Sequence, residues 1–353
     1  MPTWKILTAI GSVALGMLIA PVTSSVIHIA VPLSAQAAAT GEVLSSSGVI
    51  SPIVADYDRA LQFYHGLLGL ESPAPRVASA KDTPPPPLLN LQGTPDGRMR
   101  WSHVTFPGTQ WWAEPLEYGD VDRRAVQPRL QDPGAATIIF RVRDIDALSA
   151  RLRQAGTPIV TPGGAPVTVE IGATKGRALV VRDPDGHFVE LVQPSAIPAD
   201  APPSDVISAG VRLTIGDTDK TMHLYRDLLG FQPKVGSFTK DAAYAALTGL
   251  TGAEFRLTTA QVPGEPRLTF EFVEFRGVDR QPLKARIQDP GSMKFQFVVR
   301  SLDSAAAKFT SAGGSLVSTG GKPVNLGAAG PHLIVRDLNN FYLILQQQPT
   351  KKP

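Results

Sequence analysis

Residues 117–134 read Glu117-Tyr-Gly-Asp-Val-Asp-Arg-Arg-Ala-Val-Gln-Pro-Arg-Leu-Gln-Asp-Pro-Gly134 and decide how the chain is organised. A close copy of this stretch returns as Glu274-Phe-Arg-Gly-Val-Asp-Arg-Gln-Pro-Leu-Lys-Ala-Arg-Ile-Gln-Asp-Pro-Gly291. The same register extends outward, since Leu67-Leu-Gly-Leu70 matches Leu228-Leu-Gly-Phe231. A repeat of this length is a whole domain rather than one rung of a solenoid. The 353 residues are therefore predicted to contain two copies of one domain.

Each copy divides again into two units with the same pattern. A strand at 48–54 is followed by Asp56 and by an amphipathic helix that stops at Gly69, which is the usual capping chemistry of a short helix. The next unit repeats this with a strand at 137–142 and a capping Asp144. Short alternating stretches separated by Gly and Pro come after each helix and predict three more strands. The order β-α-β-β-β, present four times, predicts an α+β fold.

The repeat and the local composition together predict the domain boundaries. The linker between the copies is rich in Pro and Ala, as expected of an extended connection. The predicted segments are a signal peptide at 1–37, a first domain at 42–195, the linker at 196–206 and a second domain at 207–348.

The N-terminus has the features of an export signal. Lys5 is the only charge before Glu42, an apolar run covers residues 6–20, and Ala35-Gln-Ala37 is a small-x-small cleavage site. An uncleaved anchor is the alternative, because a second apolar patch lengthens the segment. However, prolines interrupt the segment, and neither apolar run reaches the roughly 20 residues that a membrane span needs. We expect a periplasmic or extracellular protein whose mature chain has no integral membrane span.

Composition and charge exclude several classes of function. The formal net charge is +3 and the basic residues are dispersed, so no nucleic-acid partner is expected. The chain has no cysteine, which excludes disulfides and thiol chemistry. No phosphate-binding glycine loop and no serine nucleophile motif are present. The expected partner is a small molecule.

The four units, the Asp-capped helix at 56–70 and Arg182-Asp-Pro-Asp-Gly-His-Phe-Val-Glu-Leu191 together resemble the vicinal oxygen chelate superfamily. This superfamily includes glyoxalase I, bleomycin- and fosfomycin-resistance proteins and extradiol dioxygenases. The resemblance implies that the four modules pair into two cup-shaped mixed sheets with helices on their outer faces. The first cup is expected to contain modules 1 and 2, and the second cup modules 3 and 4. A monomer is expected, since one chain supplies both modules of each cup.

In the catalytic members of this superfamily, the cup holds a divalent metal between a residue of the first strand and one of the last strand of each module, usually His and Glu. Transferred to the first cup here, Val49 and Thr137 stand at the histidine positions, and Glu114 and Glu190 at the carboxylate positions. The resemblance implies one divalent metal at most, with Mg²⁺, Mn²⁺ or Ca²⁺ favoured over Zn²⁺ or Fe²⁺ because imidazole is missing. The alternative is that the two carboxylates face a wet cavity without metal.

In the second cup, Gly210 and Lys294 take the histidine positions, and Glu271 and Ile344 take the carboxylate positions. No metal is expected there. A buried carboxylate requires a partner, so an ion pair between Glu271 and Lys294 is predicted in place of the metal. The alternative is that either side chain reaches solvent at the rim.

A further set of candidate residues lies near Glu114. Strand alternation puts Trp101 and His103 on one face, and Trp112 shares the face of Glu114. If this face lines the cup, the three rings form a ligand pocket, and His103 is a stand-in metal ligand or a proton carrier near Glu114 and Glu190. If it faces outward, the rings are packing residues.

Three hypotheses of function follow, and the fold alone does not choose between them. The first is a small-molecule binding protein with a degenerate metal site. The alternative is a divalent-metal lyase, isomerase or dioxygenase that uses the first cup only. The third is a structural protein whose cups are filled by side chains. Whether the chain is an enzyme stays open on the sequence alone.

Overall fold

The computed structural model describes residues 41–107, 111–172 and 174–348, and the predicted signal peptide lies outside them. Four modules follow one another along the described chain. Module 1 contains β1 (Val43–Val54), α1 (Tyr57–Leu61), β2 (Arg76–Ser79), α2 (Pro87–Leu91), β3 (Arg98–Trp101), β4 (Val104–Thr105), β5 (Trp112–Ala113) and β6 (Leu116–Gly119). Module 2 contains β7 (Ala136–Val142), α3 (Ile145–Gln154), β8 (Val167–Ile171), β9 (Thr174–Arg182) and β10 (Phe188–Pro194).

Modules 3 and 4 repeat this succession. Module 3 contains β11 (Val206–Thr214), α4 (Thr218–Met222), β12 (Gln232–Thr239), α5 (Ala242–Thr248), β13 (Glu254–Val262) and β14 (Glu265–Arg276). Module 4 contains β15 (Met293–Val299), α6 (Leu302–Ser311), β16 (Ser315–Leu316), β17 (Val324–Asn325), β18 (Pro331–Arg336) and β19 (Tyr342–Gln347). In the described ranges, no helix is long and apolar enough to cross a membrane.

The helices begin and end where their capping residues predict. Asp56 accepts hydrogen bonds of 2.9 and 3.1 Å from two N–H groups of the first turn of α1. Asp144 does the same for α3, at 3.0 Å each. After α1 the chain continues as a π-helical turn (Gln62–Leu67) and leaves the helix at Gly69, whose φ of 72° is a conformation that glycine adopts at little cost.

The strands form two curled mixed sheets. The first has the order β16-β18-β19-β15-β1-β6-β3-β2, with β17, β4 and β5 attached outside this path. The second has the order β12-β13-β14-β11-β7-β10-β9-β8. Their seams are antiparallel, β1 with β15 and β7 with β11. Modules 1 and 4 therefore share one concave sheet, called cup 1/4 below, and modules 2 and 3 share the other, called cup 2/3.

The α+β fold of four modules in two cup-shaped sheets is confirmed, but the expected pairing of modules 1 with 2 and 3 with 4 is wrong. Alternation identifies a strand and capping identifies a helix, but neither identifies the partner of a strand when two copies offer equivalent edges. The boundaries 42–195 and 207–348 stay predictions for the limits of the repeat. Both sheets join strands from the two sides of that division.

The stretch that reveals the duplication forms a reciprocal clasp between the copies. Arg129 binds Asp132 in its own stretch at 2.7 Å and Asp279 in the other copy at 2.7 Å. Arg286 mirrors this, binding Asp289 at 2.7 Å and an aspartate of the first copy at 2.9 Å. Each buried aspartate also accepts a backbone N–H from the opposite copy, at 2.9 and 2.8 Å. The repeat is thus conserved between copies in a structural role.

The main core lies between the convex faces of the two sheets. Helices α1, α3, α4 and α6 contribute apolar side chains to it. Aromatic contacts such as Phe270 with Phe295, whose ring centroids lie 5.8 Å apart, join one sheet to the other. Two helices lie on the concave sides instead: α2 places Leu89 in the core of cup 1/4, and α5 places Tyr244 in that of cup 2/3.

Candidate functional site

Two carboxylates and a guanidinium meet on the concave face of cup 2/3. Arg212 on β11 lies between Glu190 on β10 and Glu271 on β14. Its Nη1 is 2.5 Å from Glu190 Oε2, and its Nε and Nη2 are 2.9 and 2.8 Å from Glu271 Oε2. The exposed fractions of the three residues are 4%, 1% and 0%. This is a fully desolvated charge cluster that crosses the seam between modules 2 and 3.

The strand register explains why an arginine reaches this place. Gly210, at the predicted histidine position, has no side chain, and Arg212 follows two residues later on the same face of β11. Arg212 pairs with Glu271 across the parallel ladder and with Thr137 across the seam. Burial opposes the charge of Arg212, but Glu190 and Glu271 outweigh it and raise its pKa above its ordinary value.

These residues do not fit a divalent metal. An ion between Glu190 and Glu271 would have to displace the guanidinium of Arg212, and neither Gly210 nor Thr137 supplies an imidazole. Across residues 41–107, 111–172 and 174–348, no group of three or more His, Cys, Asp or Glu side chains is arranged to hold a metal ion.

Two of the predicted pairs do not form because the modules pair differently. Glu114 lies beside β5 and β6 in cup 1/4, whereas Glu190 lies in cup 2/3, so they do not face one site. The predicted ion pair of Glu271 with Lys294 is wrong for the same reason: Glu271 is on β14 of one sheet and Lys294 on β15 of the other. Arg212 binds Glu271 instead.

Lys294 is fully buried in cup 1/4, with an exposed fraction of 0%. Its Nζ donates to Gln92 Oε1 at 3.0 Å and to Tyr118 Oη at 3.4 Å. Gln92 Oε1 also accepts from the Tyr118 hydroxyl at 2.6 Å. Burial lowers the pKa of Lys294 to about 8, against the opposing effect of Glu114.

Four of the predicted site residues lie on the concave face of cup 1/4. His103 Nε2 is 3.0 Å from Glu114 Oε2, and Ser51 donates to Glu114 Oε1 at 2.9 Å. The ring of His103 stacks on Trp112 at 4.9 Å, with 28° between their planes. Trp101 packs on the apolar core of the same cup. Of the two orientations considered from the sequence, the inward one is correct, and a ligand-binding role for the four residues stays a prediction.

The His103–Glu114 contact is the more accessible of the two polar sites. The side chains of His103 and Glu114 are 28% and 12% exposed, whereas Arg212 and its partners are nearly inaccessible. Sequence reasoning found this pair and missed Arg212 and Gln92. A signal for Arg212 was present, because it is the only charge in the otherwise uncharged run from Val206 to Ile215.

A cavity of about 360 Å³ opens between the two edge strands of cup 2/3. Its floor is formed by inward-facing residues of β13, including Thr259, which pairs with Glu271 across the ladder. Gly172 closes it on the β8 side, where a Cβ atom would collide with Glu271 Oε1 and Leu257 Cδ2. The lining residues are Glu170, Ile171, Gly172, Lys234, Val235, Gly236, Ser237, Thr239, Asp241, Phe255, Leu257 and Thr259.

Comparison with known proteins gives a family match for part of the chain and a fold for most of it. The model of the Glyoxalase/Bleomycin resistance protein/Dioxygenase superfamily matches residues 48–191. Glyoxalase I from Zea mays has a similar structure, with 16% sequence identity over 86% of this chain and 92% of that chain, at a TM-score of 0.55. A putative dioxygenase from Bacillus subtilis subsp. subtilis str. 168 is similar at 13% identity, over 88% of this chain and 87% of that chain, with a TM-score of 0.52. No curated protein matches the sequence. At these identities the structural likeness shows the fold alone.

Proposed function

Residues 48–191 match the model of the Glyoxalase/Bleomycin resistance protein/Dioxygenase superfamily, and the four modules have the fold of similar solved structures; from this premise we propose that the chain is a small-molecule binding protein that works without a divalent metal. The observation that supports this is the guanidinium of Arg212 between Glu190 and Glu271. Two buried carboxylates require a cation nearby. Arg212 supplies that cation through charge-assisted hydrogen bonds, so the cluster is satisfied by protein groups alone.

The cavity at the edge of cup 2/3 is the ligand site in this proposal. Its volume of about 360 Å³ lies in the range of small-molecule pockets, about 300–1,000 Å³. Phe255 and Leu257 offer an apolar floor, while Lys234, Thr239 and Thr259 offer hydrogen-bonding groups on the walls. This combination suits a compact organic molecule that has one apolar face and several polar substituents.

The metal-free part of the proposal is tested by elemental analysis. Protein purified without chelator is incubated with Mg²⁺, Mn²⁺, Ca²⁺ or Zn²⁺, dialysed and analysed, with Glu190→Gln as the control. We expect substoichiometric metal in both proteins, since Arg212 already neutralises Glu190. One equivalent of a divalent ion in the native protein, lost in Glu190→Gln, would overturn the proposal.

The ligand site is tested by a thermal-shift screen of small aromatic acids, amines and polyols. Ser237→Trp places an indole at the wall of the cavity. Val77→Trp is the matched control, because Val77 is 59% exposed on β2, an edge strand of the other cup. We expect at least one compound to raise the Tm of the native protein and of Val77→Trp but not of Ser237→Trp. If every active compound stabilises all three proteins equally, the cavity is not the site.

A second candidate function, proton transfer, is favoured by the geometry of His103 and Glu114. The 3.0 Å contact holds a partly exposed imidazole against a carboxylate, which is the arrangement of an oriented acid–base group. The test is hydrogen–deuterium exchange next to the carbonyl of dihydroxyacetone in D₂O, followed by proton NMR. Exchange faster than in buffer, and lost in His103→Gln, supports this function; exchange equal in both proteins excludes it.

We also propose that the chain is exported and that its signal peptide is removed. The support is the sequence of residues 1–37, with one charge at Lys5, an apolar run and the Ala35-Gln-Ala37 cleavage site. The full chain expressed in a bacterial host is fractionated, and the N-terminus of the product is sequenced. We expect a periplasmic or secreted protein that begins after Ala37. An intact N-terminus in the membrane fraction indicates an uncleaved anchor instead.

A further inference from the structure

Lys294 has too few acceptors for a charged ammonium. A protonated Nζ carries three donors, and its two polar contacts are with the neutral groups of Gln92 at 3.0 Å and Tyr118 at 3.4 Å. The better acceptor, Gln92 Oε1, is shared with the Tyr118 hydroxyl. Within the described part of the chain, no carboxylate forms an ion pair with Lys294. An unpaired buried charge is costly, so these surroundings, with Glu114 as the one opposing influence, raise the neutral fraction of this amine above that of an exposed lysine.

A second cavity adjoins this amine from the rim of cup 1/4. It has a volume of about 270 Å³, and its walls include Gln92, the hydrogen-bond partner of Lys294, and Tyr342, its neighbour across the parallel ladder. Gln92, at the C-terminal end of the five-residue helix α2, contacts Nζ and also lines the cavity. The side chain of Gln92 is therefore the group that stands between the amine and the cavity.

Two guanidinium groups lie in the wall of the same cavity. Arg286 and Arg336 both line it, but Arg286 is already paired with Asp289 and Asp122 in the clasp. The guanidinium of Arg336 donates to neutral oxygens, those of Ser315 at 3.1 Å and Asn340 at 3.4 Å. A carboxylate on an incoming molecule therefore finds a guanidinium whose charge is not already matched by these two partners.

We propose that Lys294 is a reactive amine that captures small carbonyl compounds bearing a carboxylate, which enter through the cavity beside Gln92. The neutral Nζ attacks the carbonyl carbon and forms a C–N bond, giving a carbinolamine. Loss of the carbonyl oxygen as water, with both protons supplied by the amine, leaves an imine; no oxidant or reductant is consumed. This activity lies in the other cup and is independent of the ligand site proposed above.

The probe is glyoxylate with sodium cyanoborohydride, which reduces an imine by hydride transfer to its carbon. The product is a carboxymethyl group on the lysine, located by peptide mass spectrometry. The internal references are Lys81 and Lys175, whose side chains are 85% and 69% exposed. We expect Lys294 to be modified on the order of tenfold faster than these surface lysines, because a larger fraction of it is neutral. Modification no faster than theirs overturns the proposal.

Two variants of Gln92 separate reactivity from mere accessibility. Gln92→Glu keeps the shape of the side chain but gives Lys294 an ionised partner, so labelling is expected to fall to the level of the surface lysines. Gln92→Ala removes the group between the amine and the cavity, so labelling is expected to rise. Equal labelling in the native protein and Gln92→Glu contradicts the proposal. Lys294→Met should lose the internal label and keep the surface labels; if it does not fold, the ratio within the native protein still decides.

Discussion

The charge cluster of cup 2/3 gives the sharpest test of this structure. Replacing Arg212 by Met keeps an unbranched side chain in the same space, so the change reports on charge more than on packing. It leaves Glu190 and Glu271, which are 1% and 0% exposed, without the cation that lies between them. Removing one partner from a buried ion pair costs about 3–5 kcal/mol. We expect Arg212→Met to lower the free energy of unfolding by about that amount.

The assay is equilibrium urea denaturation followed by far-UV circular dichroism at neutral pH. The control is the triple variant Arg212→Met, Glu190→Gln, Glu271→Gln, in which the three charges are removed together. Because the cost comes from unpaired charge, we expect the triple variant to recover most of the loss. Arg141 is a second cation near the cluster. Burial lowers its pKa, while Glu271 and Glu190 act in the opposite direction. Because Arg141 partly screens the two carboxylates, it reduces the cost of losing Arg212.

Arg212→Met should also bind a divalent ion that the native protein does not. The freed carboxylates of Glu190 and Glu271 are suitable ligands for a hard cation such as Mn²⁺. At a concentration of one hundred times its Kd, the ion stabilises the folded state by about 2.7 kcal/mol. The triple variant should show no such effect, since amides replace both carboxylates.

Two results would refute this reasoning. A loss below about 1 kcal/mol in Arg212→Met would mean that Glu190 and Glu271 are not held by this cation, because an unpaired buried charge costs more than that. A triple variant no more stable than the single variant would mean that lost packing, and not unpaired charge, dominates.

Two further predictions concern aspartates outside the cups. Asp132→Ala and Asp289→Ala should each lower the free energy of unfolding by about 1–3 kcal/mol. The two losses should be similar, because the two residues make equivalent contacts in the clasp. Urea denaturation measures both, and a negligible effect of either variant argues against a reciprocal clasp. Burial raises the pKa of Asp337 from its ordinary 3.8 to about 6. The folded state therefore binds this proton more tightly than the unfolded state does. The free energy of unfolding should fall by up to about 3 kcal/mol as pH rises from 4 to 6. Asp337→Asn should flatten that slope, and an unchanged slope would assign it to other groups.

The two closing turns show how the copies keep a backbone and change its charges. Asp183 and Asp337 occupy equivalent turns, and each accepts a tyrosine hydroxyl at 2.9 Å. In the first copy, Nδ1 of His187 lies 2.9 Å from Oδ2 of Asp183. The N–H at Nε2 of the same ring donates to the Ser292 carbonyl oxygen at 3.1 Å. Burial raises the pKa of Asp183, but His187 outweighs it and the net shift is downward. The second copy has Phe341 at the histidine position, so Asp337 has no such partner.

Local chemistry made much of the fold predictable. Asp56 and Asp144 cap the helices that they were expected to cap, since a side-chain oxygen reaches its own first turn whatever the rest of the chain does. Alternation likewise placed His103 and Trp101 on one face, and the structure has both residues in the cup of Glu114. The pairing of modules was not predictable in this way. It depends on contacts between residues that are far apart in sequence, such as those of β1 with β15.

That single wrong pairing accounts for the errors at the site. When modules 2 and 3 share a cup, Glu190 and Glu271 come together, and Arg212 neutralises them. When modules 1 and 4 share the other, the buried amine of Lys294 lies in the cup of Glu114 without forming an ion pair with it. Glu271 therefore has a protein cation as its partner, but this cation is Arg212 and not the predicted Lys294.

The two cations stand at non-equivalent positions of the repeat. Arg212 lies five residues before its helix cap, where the first copy has Ser51, whereas Lys294 lies seven residues before its cap, where the first copy has Thr137. The duplication therefore relates neither of these basic residues to the other. The two sites consequently differ in chemistry: a guanidinium saturated by two carboxylates has no reactivity to offer, while an amine held by neutral groups does. A reaction carried by the amine of a buried basic side chain therefore belongs to the cup of Lys294.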